Sequence, residues 1–85
     1  MNPYEIARRA SALPEQFATR LPEKTLAGLR LMEEGGEYGE LAIELTATLV
    51  KTGAAVSAAE RHELRALLEA TGMPTHLLEQ LAVRD

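Results

Sequence analysis

The sequence has no cysteine, only six glycines and four prolines among 85 residues, fewer basic than acidic side chains, and no long hydrophobic run. Each shortage excludes something. Without cysteine there is no disulfide staple and no thiolate metal site, so a chain this small has to be held by packing alone, a composition that suits a reducing cytosol. So little glycine and proline rules out a linker or a collagen-like repeat. The apolar share of 46% is too high for a disordered tail. Nine Lys and Arg against thirteen Asp and Glu give a net charge of −4, which disfavours the phosphate neutralisation behind nucleic-acid and anionic-membrane binding. The expected partner is therefore a basic protein, with no nucleic acid and no membrane. The uncharged run Leu45–Val50 contains Thr46 and Thr48 and falls far short of the roughly 20 apolar residues that span a bilayer. The opening Met-Asn-Pro-Tyr-Glu-Ile-Ala-Arg-Arg sets its charges behind its only apolar residues, so no signal peptide is predicted and a cytoplasmic location is expected. A chain of this length has room for one domain, residues 1–85.

Ala and Leu dominate what remains, and no stretch alternates with period two, so the fold class read from the sequence is all-α, a compact four- or five-helix bundle of short amphipathic helices. Pro3 opens a first helix and Pro14 breaks it, which makes residues 3–21 two short helices or one kinked helix. From Pro22, Leu26, Leu29 and Met32, with Leu31 beside them, form an apolar stripe that Gly35-Gly36 stops near Glu34. Tyr38, Leu41, Ala42, Leu45 and Leu49 then recur at steps of three and four and predict an amphipathic helix ending at Gly53. Ser57 and Glu60 form a capping box for a helix over 58–71, with Leu64, Leu67, Leu68 and Thr71 inward and Gly72 with Pro74 as the exit. Leu77, Leu78 and Leu81 mark a last short helix. The predicted core is Leu26, Leu29, Leu41, Leu45, Leu49, Leu64, Leu67, Leu68, Leu77, Leu78 and Leu81.

The residues offer little for catalysis. His62-Glu63 resembles the start of a zinc-protease HExxH motif, but Ala66 stands where the second histidine belongs. Neither Ser11 nor Ser57 lies in a nucleophile elbow, and Gly35-Gly36-Glu37 puts a carboxylate where a phosphate loop needs an anion. No catalytic residue, metal ligand or cofactor is expected, and the chain reads as a binder rather than an enzyme.

The carboxylates are unevenly placed. Residues 33–44 hold Glu33, Glu34, Glu37, Glu40 and Glu44 and no Lys or Arg, whereas residues 1–32 are net positive. On a helix Glu37, Glu40 and Glu44 share one face. Such a face is either a solvated surface with acids favoured near a helix N-terminus, or an electrostatic patch that recruits a basic protein. Two other function classes stay open. Residues 67–81 can be read as a helix-turn-helix with 75–84 as the recognition helix of a DNA-binding regulator, against which stands its single reliable cation, Arg84. A helical adaptor whose faces pack on one another, as in a homodimer, is the third.

The run Leu31-Met-Glu-Glu-Gly-Gly-Glu-Tyr-Gly-Glu-Leu-Ala-Ile-Glu-Leu45, followed by Val56-Ser-Ala-Ala-Glu and a leucine helix ending Ala70-Thr-Gly-Met73, resembles the MafI-like family of small immunity proteins. In that family a Gly-Glu pair opens a helix bearing an Ala-x-Glu-x-Leu segment. Here Gly36-Glu37 and Ala42-Ile-Glu44-Leu45, with Leu49, take those places. The resemblance covers the last two-thirds of the chain and leaves residues 1–21 unmatched. It implies an all-helical inhibitor that binds and neutralises a cognate bacterial toxin, a nuclease or a nucleotide-consuming enzyme, by occluding its cleft. The candidate toxin-binding residues are Glu33, Glu34, Glu37, Tyr38, Glu40 and Glu44.

Overall fold

The computed structural model describes all residues from Met1 to Asp85. Its first helix, α1 (Pro3–Ser11), starts at Pro3 as the sequence predicts, where the missing N–H would have no partner, and the structure adds a cap at Asn2, whose Oδ1 accepts from the Glu5 N–H at 2.8 Å. Ala12 then leads into α2 (Leu13–Phe17), with Pro14 in its first turn, and a 3₁₀ turn over Ala18–Arg20. Residues 3–21 are therefore two short helices and a tight turn.

Two longer helices follow, α3 (Glu23–Glu34) and α4 (Tyr38–Thr52). Between them Gly36 takes a left-handed φ of 71°, which lets the Gly36 N–H donate to Glu33 O at 3.1 Å and the Glu37 N–H to Met32 O at 2.9 Å. This closure satisfies two orphan carbonyls and sets the angle of the turn. The last long helix, α5 (Ala58–Ala70), starts at the predicted capping box, with the Glu60 N–H donating to Ser57 Oγ at 3.0 Å and the Ser57 N–H to Glu60 Oε1 at 2.9 Å. It ends in the same hydrogen-bond pattern as α3, the Met73 N–H reaching Leu68 O at 2.9 Å. The two turns meet at Gly39, where a β-carbon would stand 3.0 Å from Met73 Cγ and 3.0 Å from Thr71 Cβ. A hydrogen at that position is what lets the start of α4 lie against the end of α5.

The protein is an all-α bundle, 30 × 25 × 19 Å. Two features depart from the sequence reading. Residues 76–80 form a 3₁₀ turn rather than an α-helix, and Ala82-Val83 (β2) pairs in parallel with Ala55-Val56 (β1). The Arg84 N–H extends the pairing to Val56 O at 2.8 Å. Residues 75–84 therefore contain no helix of recognition length. Local spacing could not reveal the strand, because its partner lies on the far side of α5.

One continuous core of 14 residues runs through the molecule. Leu29, Leu41, Leu45, Leu49, Leu64, Leu67, Leu68, Leu78 and Leu81 are buried as predicted. Leu26 and Leu77 are only half-buried, and Leu31 is 68% exposed. The core also takes Ala10, Leu13, Phe17, Ala42 and Val56, which the predicted set lacks. The one buried polar side chain outside the backbone is satisfied, since Thr46 Oγ1 donates to Ala42 O at 2.8 Å.

Candidate functional site

The α3–α4 turn carries five of the six candidate residues at the ends of two helices, and Glu44 extends the set one turn further. Glu34, Glu37, Glu40 and Glu44 are exposed and Glu33 is half-buried. Tyr38 differs from the rest: it is half-buried and packs against the core, so much of its ring is committed to holding the start of α4. None of the five glutamates forms an ion pair with any Lys or Arg of the chain.

That separates them from most of the other acids, with Glu23 and Glu69 alone among the other glutamates sharing the lack of an ion pair. Glu5, Glu15, Glu60, Glu63 and Glu79 are all paired with arginines, and Asp85 Oδ1 accepts from the Ala58 N–H at 2.8 Å. The helix dipoles do not account for the cluster either. Glu37 and Glu40 lie at the favourable N-terminal end of α4, but Glu33 and Glu34 lie in the last turn of α3, which has no basic residue to offset its partial negative charge. Reversing the exposed charge at that point should therefore make the protein more stable: Glu34→Lys is expected to raise it by about 0.3 to 1 kcal/mol, read as a higher denaturation midpoint at low salt. A neutral or lower midpoint would show that Glu34 has a favourable partner.

At the other end of these two helices lies the one cavity of the molecule, a groove of about 250 Å³ between the start of α3 and the second half of α4. Pro22 and Thr25 form one wall, and Glu44, Ala47, Thr48, Lys51 and Thr52 the other. Glu44 belongs both to the acidic surface and to the groove.

On the opposite side of the chemistry stand two arginine–glutamate pairs that the sequence reading did not find. Arg9 on α1 holds the Glu63 carboxylate with two donors, the Nε–Oε2 distance being 2.8 Å. Arg20 holds Glu60 likewise, at 2.8 Å (Nη1–Oε1) and 2.7 Å (Nη2–Oε2), while also donating to Ala55 O at 3.2 Å and lying 4.3 Å over the Phe17 ring. The pairs span 54 and 40 residues of sequence, so no local pattern could signal them. The Arg9 and Arg20 hydrogen bonds push the Glu63 and Glu60 carboxyls below the usual range, against the effect of partial burial. For Glu60 the value falls from 4.5 to about 2, with the Ser57 N–H and Gln16 adding to the Arg20 contribution.

A depressed carboxylate stabilises the fold fully above its unfolded pKa and loses that contribution as pH falls through the folded value. Stability is expected to drop between pH 4.5 and about 2 as Glu60 takes up a proton. Arg20→Met should flatten this part of the pH profile, which thermal melts across the range will show. An unchanged slope in the variant would mean that Arg20 does not set the Glu60 pKa.

The arrangement offers no convergent catalytic set. Ser57 is engaged as a helix cap, His62 and His76 are exposed, and no group of three His, Asp or Glu is placed to hold a metal ion. No helix is long and apolar enough to cross a membrane. Comparison of the chain with protein-family models, with curated proteins and with solved structures gives no match.

Proposed function

We propose that this chain is an immunity protein, a binder rather than an enzyme, which neutralises a cognate bacterial toxin in the cytoplasm by docking its acidic turn onto a basic cleft of that toxin. The observation that carries the reading is the run of Glu33, Glu34, Glu37, Glu40 and Glu44 within residues 33–44, with no Lys or Arg among them and no ion pair to the rest of the chain. Carboxylates left free on an ordered backbone can take up cations supplied by another molecule without first breaking an internal ion pair. A toxin that acts on nucleic acid or nucleotides needs a basic cleft, and a fixed row of carboxylates complements it, speeds the encounter and blocks the substrate. The resemblance of Leu31–Leu45 to the MafI-like immunity family covers the same residues.

The test is co-purification with the toxin encoded beside this chain, followed by affinity measurements at several salt concentrations. A complex that shields cells from the toxin and weakens steeply with salt is expected, since the contacts lie on an exposed surface. Failure to capture the toxin, or an affinity indifferent to salt, overturns the reading.

A further inference from the structure

We infer that the groove between α3 and α4 is a socket for one arginine side chain of the partner, with its guanidinium on Glu44. The lining decides the chemistry. Pro22, Ala47 and the aliphatic parts of the threonines give the groove an apolar floor, and the threonine hydroxyls, Glu44 and Lys51 supply its polar groups. Such a lining takes the aliphatic stem of a long side chain and presents hydrogen-bond acceptors to a donor-rich head.

Charge fixes which polar group enters. Glu44 has no ion-pair partner, even though Lys51 lines the same groove. The two residues are seven apart on α4, about 10 Å along the axis at 1.5 Å per residue. They therefore mark opposite ends, with a carboxylate at one and an ammonium at the other. A single cation is drawn to the Glu44 end, and Lys51 repels a second. Arginine suits the site better than lysine, because its planar fork can donate to the carboxylate and to Thr48 or Thr25 hydroxyls together, while lysine offers a compact point charge. The groove's volume, about 250 Å³, admits one long side chain and not a folded segment.

The identity of the partner rests on the proposed toxin-binding reading, but the chemistry of the socket can be tested without it. The probe is N-acetyl-arginine amide, titrated into the full chain and followed by NMR, with N-acetyl-lysine amide and N-acetyl-norleucine amide in parallel. Saturable shifts centred on Thr25, Ala47, Thr48 and Thr52 are expected with the arginine compound, and weaker ones with lysine. Ala47→Leu, which fills the groove with a good helix former, should remove them. Glu44→Gln should weaken binding by about tenfold, the scale of one charge-assisted hydrogen bond. Shifts spread evenly over Glu33 to Glu44, no shifts at all, or equal shifts in Ala47→Leu would overturn the socket. With the toxin complex in hand, an Ala47→Leu chain that binds as tightly as the parent would reject the socket and leave the acidic-turn reading standing. Failure to capture any toxin beside a positive arginine titration would do the reverse.

Discussion

Truncating Phe17 to Ala is expected to cost about 3 to 5 kcal/mol, the range for removing a fully buried aromatic ring. Phe17 has no exposed surface and is the largest side chain of the core. Its loss would also strip the Arg20 guanidinium of the ring 4.3 Å beneath it, a contact worth roughly 0.5 to 2 kcal/mol by itself. A domain this small has a total stability on the order of 5 to 15 kcal/mol, so the variant should lose a large part of it. Urea denaturation of the Phe17→Ala chain beside Tyr4→Ala gives the measurement. Tyr4 is 77% exposed, and its truncation should shift stability by no more than about 0.5 kcal/mol. If Phe17→Ala proved as mild as the control, the first 21 residues would not be docked as described.

The second large effect concerns binding. Glu37→Lys, Glu40→Lys and Glu44→Lys together replace three exposed carboxylates, one at the cap of α4 rather than on the helix face the sequence predicts and two within the helix, by three ammonium groups. Facing a basic cleft, each becomes a like-charge contact, and such juxtapositions cost several kcal/mol in a complex. Toxin affinity at low salt is expected to fall by at least about a hundredfold, with loss of protection in cells. The three side chains are exposed and unpaired, so the circular dichroism spectrum should be preserved. Glu15→Lys provides the comparison: it makes the same reversal at an exposed glutamate of α2, outside both the acidic run and the groove lining. It should leave affinity within a few-fold of the parent. Retention of tight binding by the triple variant would remove the electrostatic basis of the proposal.

Much of the helical framework was written in local signals. Gly36, the Ser57–Glu60 box and the Gly72-Met73-Pro74 exit each act within a turn of where they stand, so the bounds of α3, α4 and α5 could be read along the chain. The residues after Pro74 show where that stops. Leu77, Leu78 and Leu81 fit a helix by spacing, but Leu81 ends a 3₁₀ turn because Ala82 finds its backbone partner at Ala55. Leu13 and Phe17 were overlooked as core because the prolines around them interrupt any stripe, although the structure buries both. The acidic surface divided in the same way. Its position was plain from composition along the sequence, whereas its lack of ion pairs is a product of the fold, which draws Arg9, Arg20, Arg30, Arg61 and Arg65 to other glutamates.

The short pairing of Ala55-Val56 with Ala82-Val83 bears on how long the folded chain lasts. It joins residues on either side of α5 and can form only once that helix has coiled and the residues after it have turned back. We expect such bonds to form after the folding barrier, and bonds formed there leave the rate of folding almost unchanged and slow the rate of opening instead. With the Arg84 N–H and the Asp85 carboxylate adding their own bonds to Val56 and Ala58, residues 82–85 are expected to act as a clasp whose strength appears in the lifetime of the native state rather than in the speed with which it is reached.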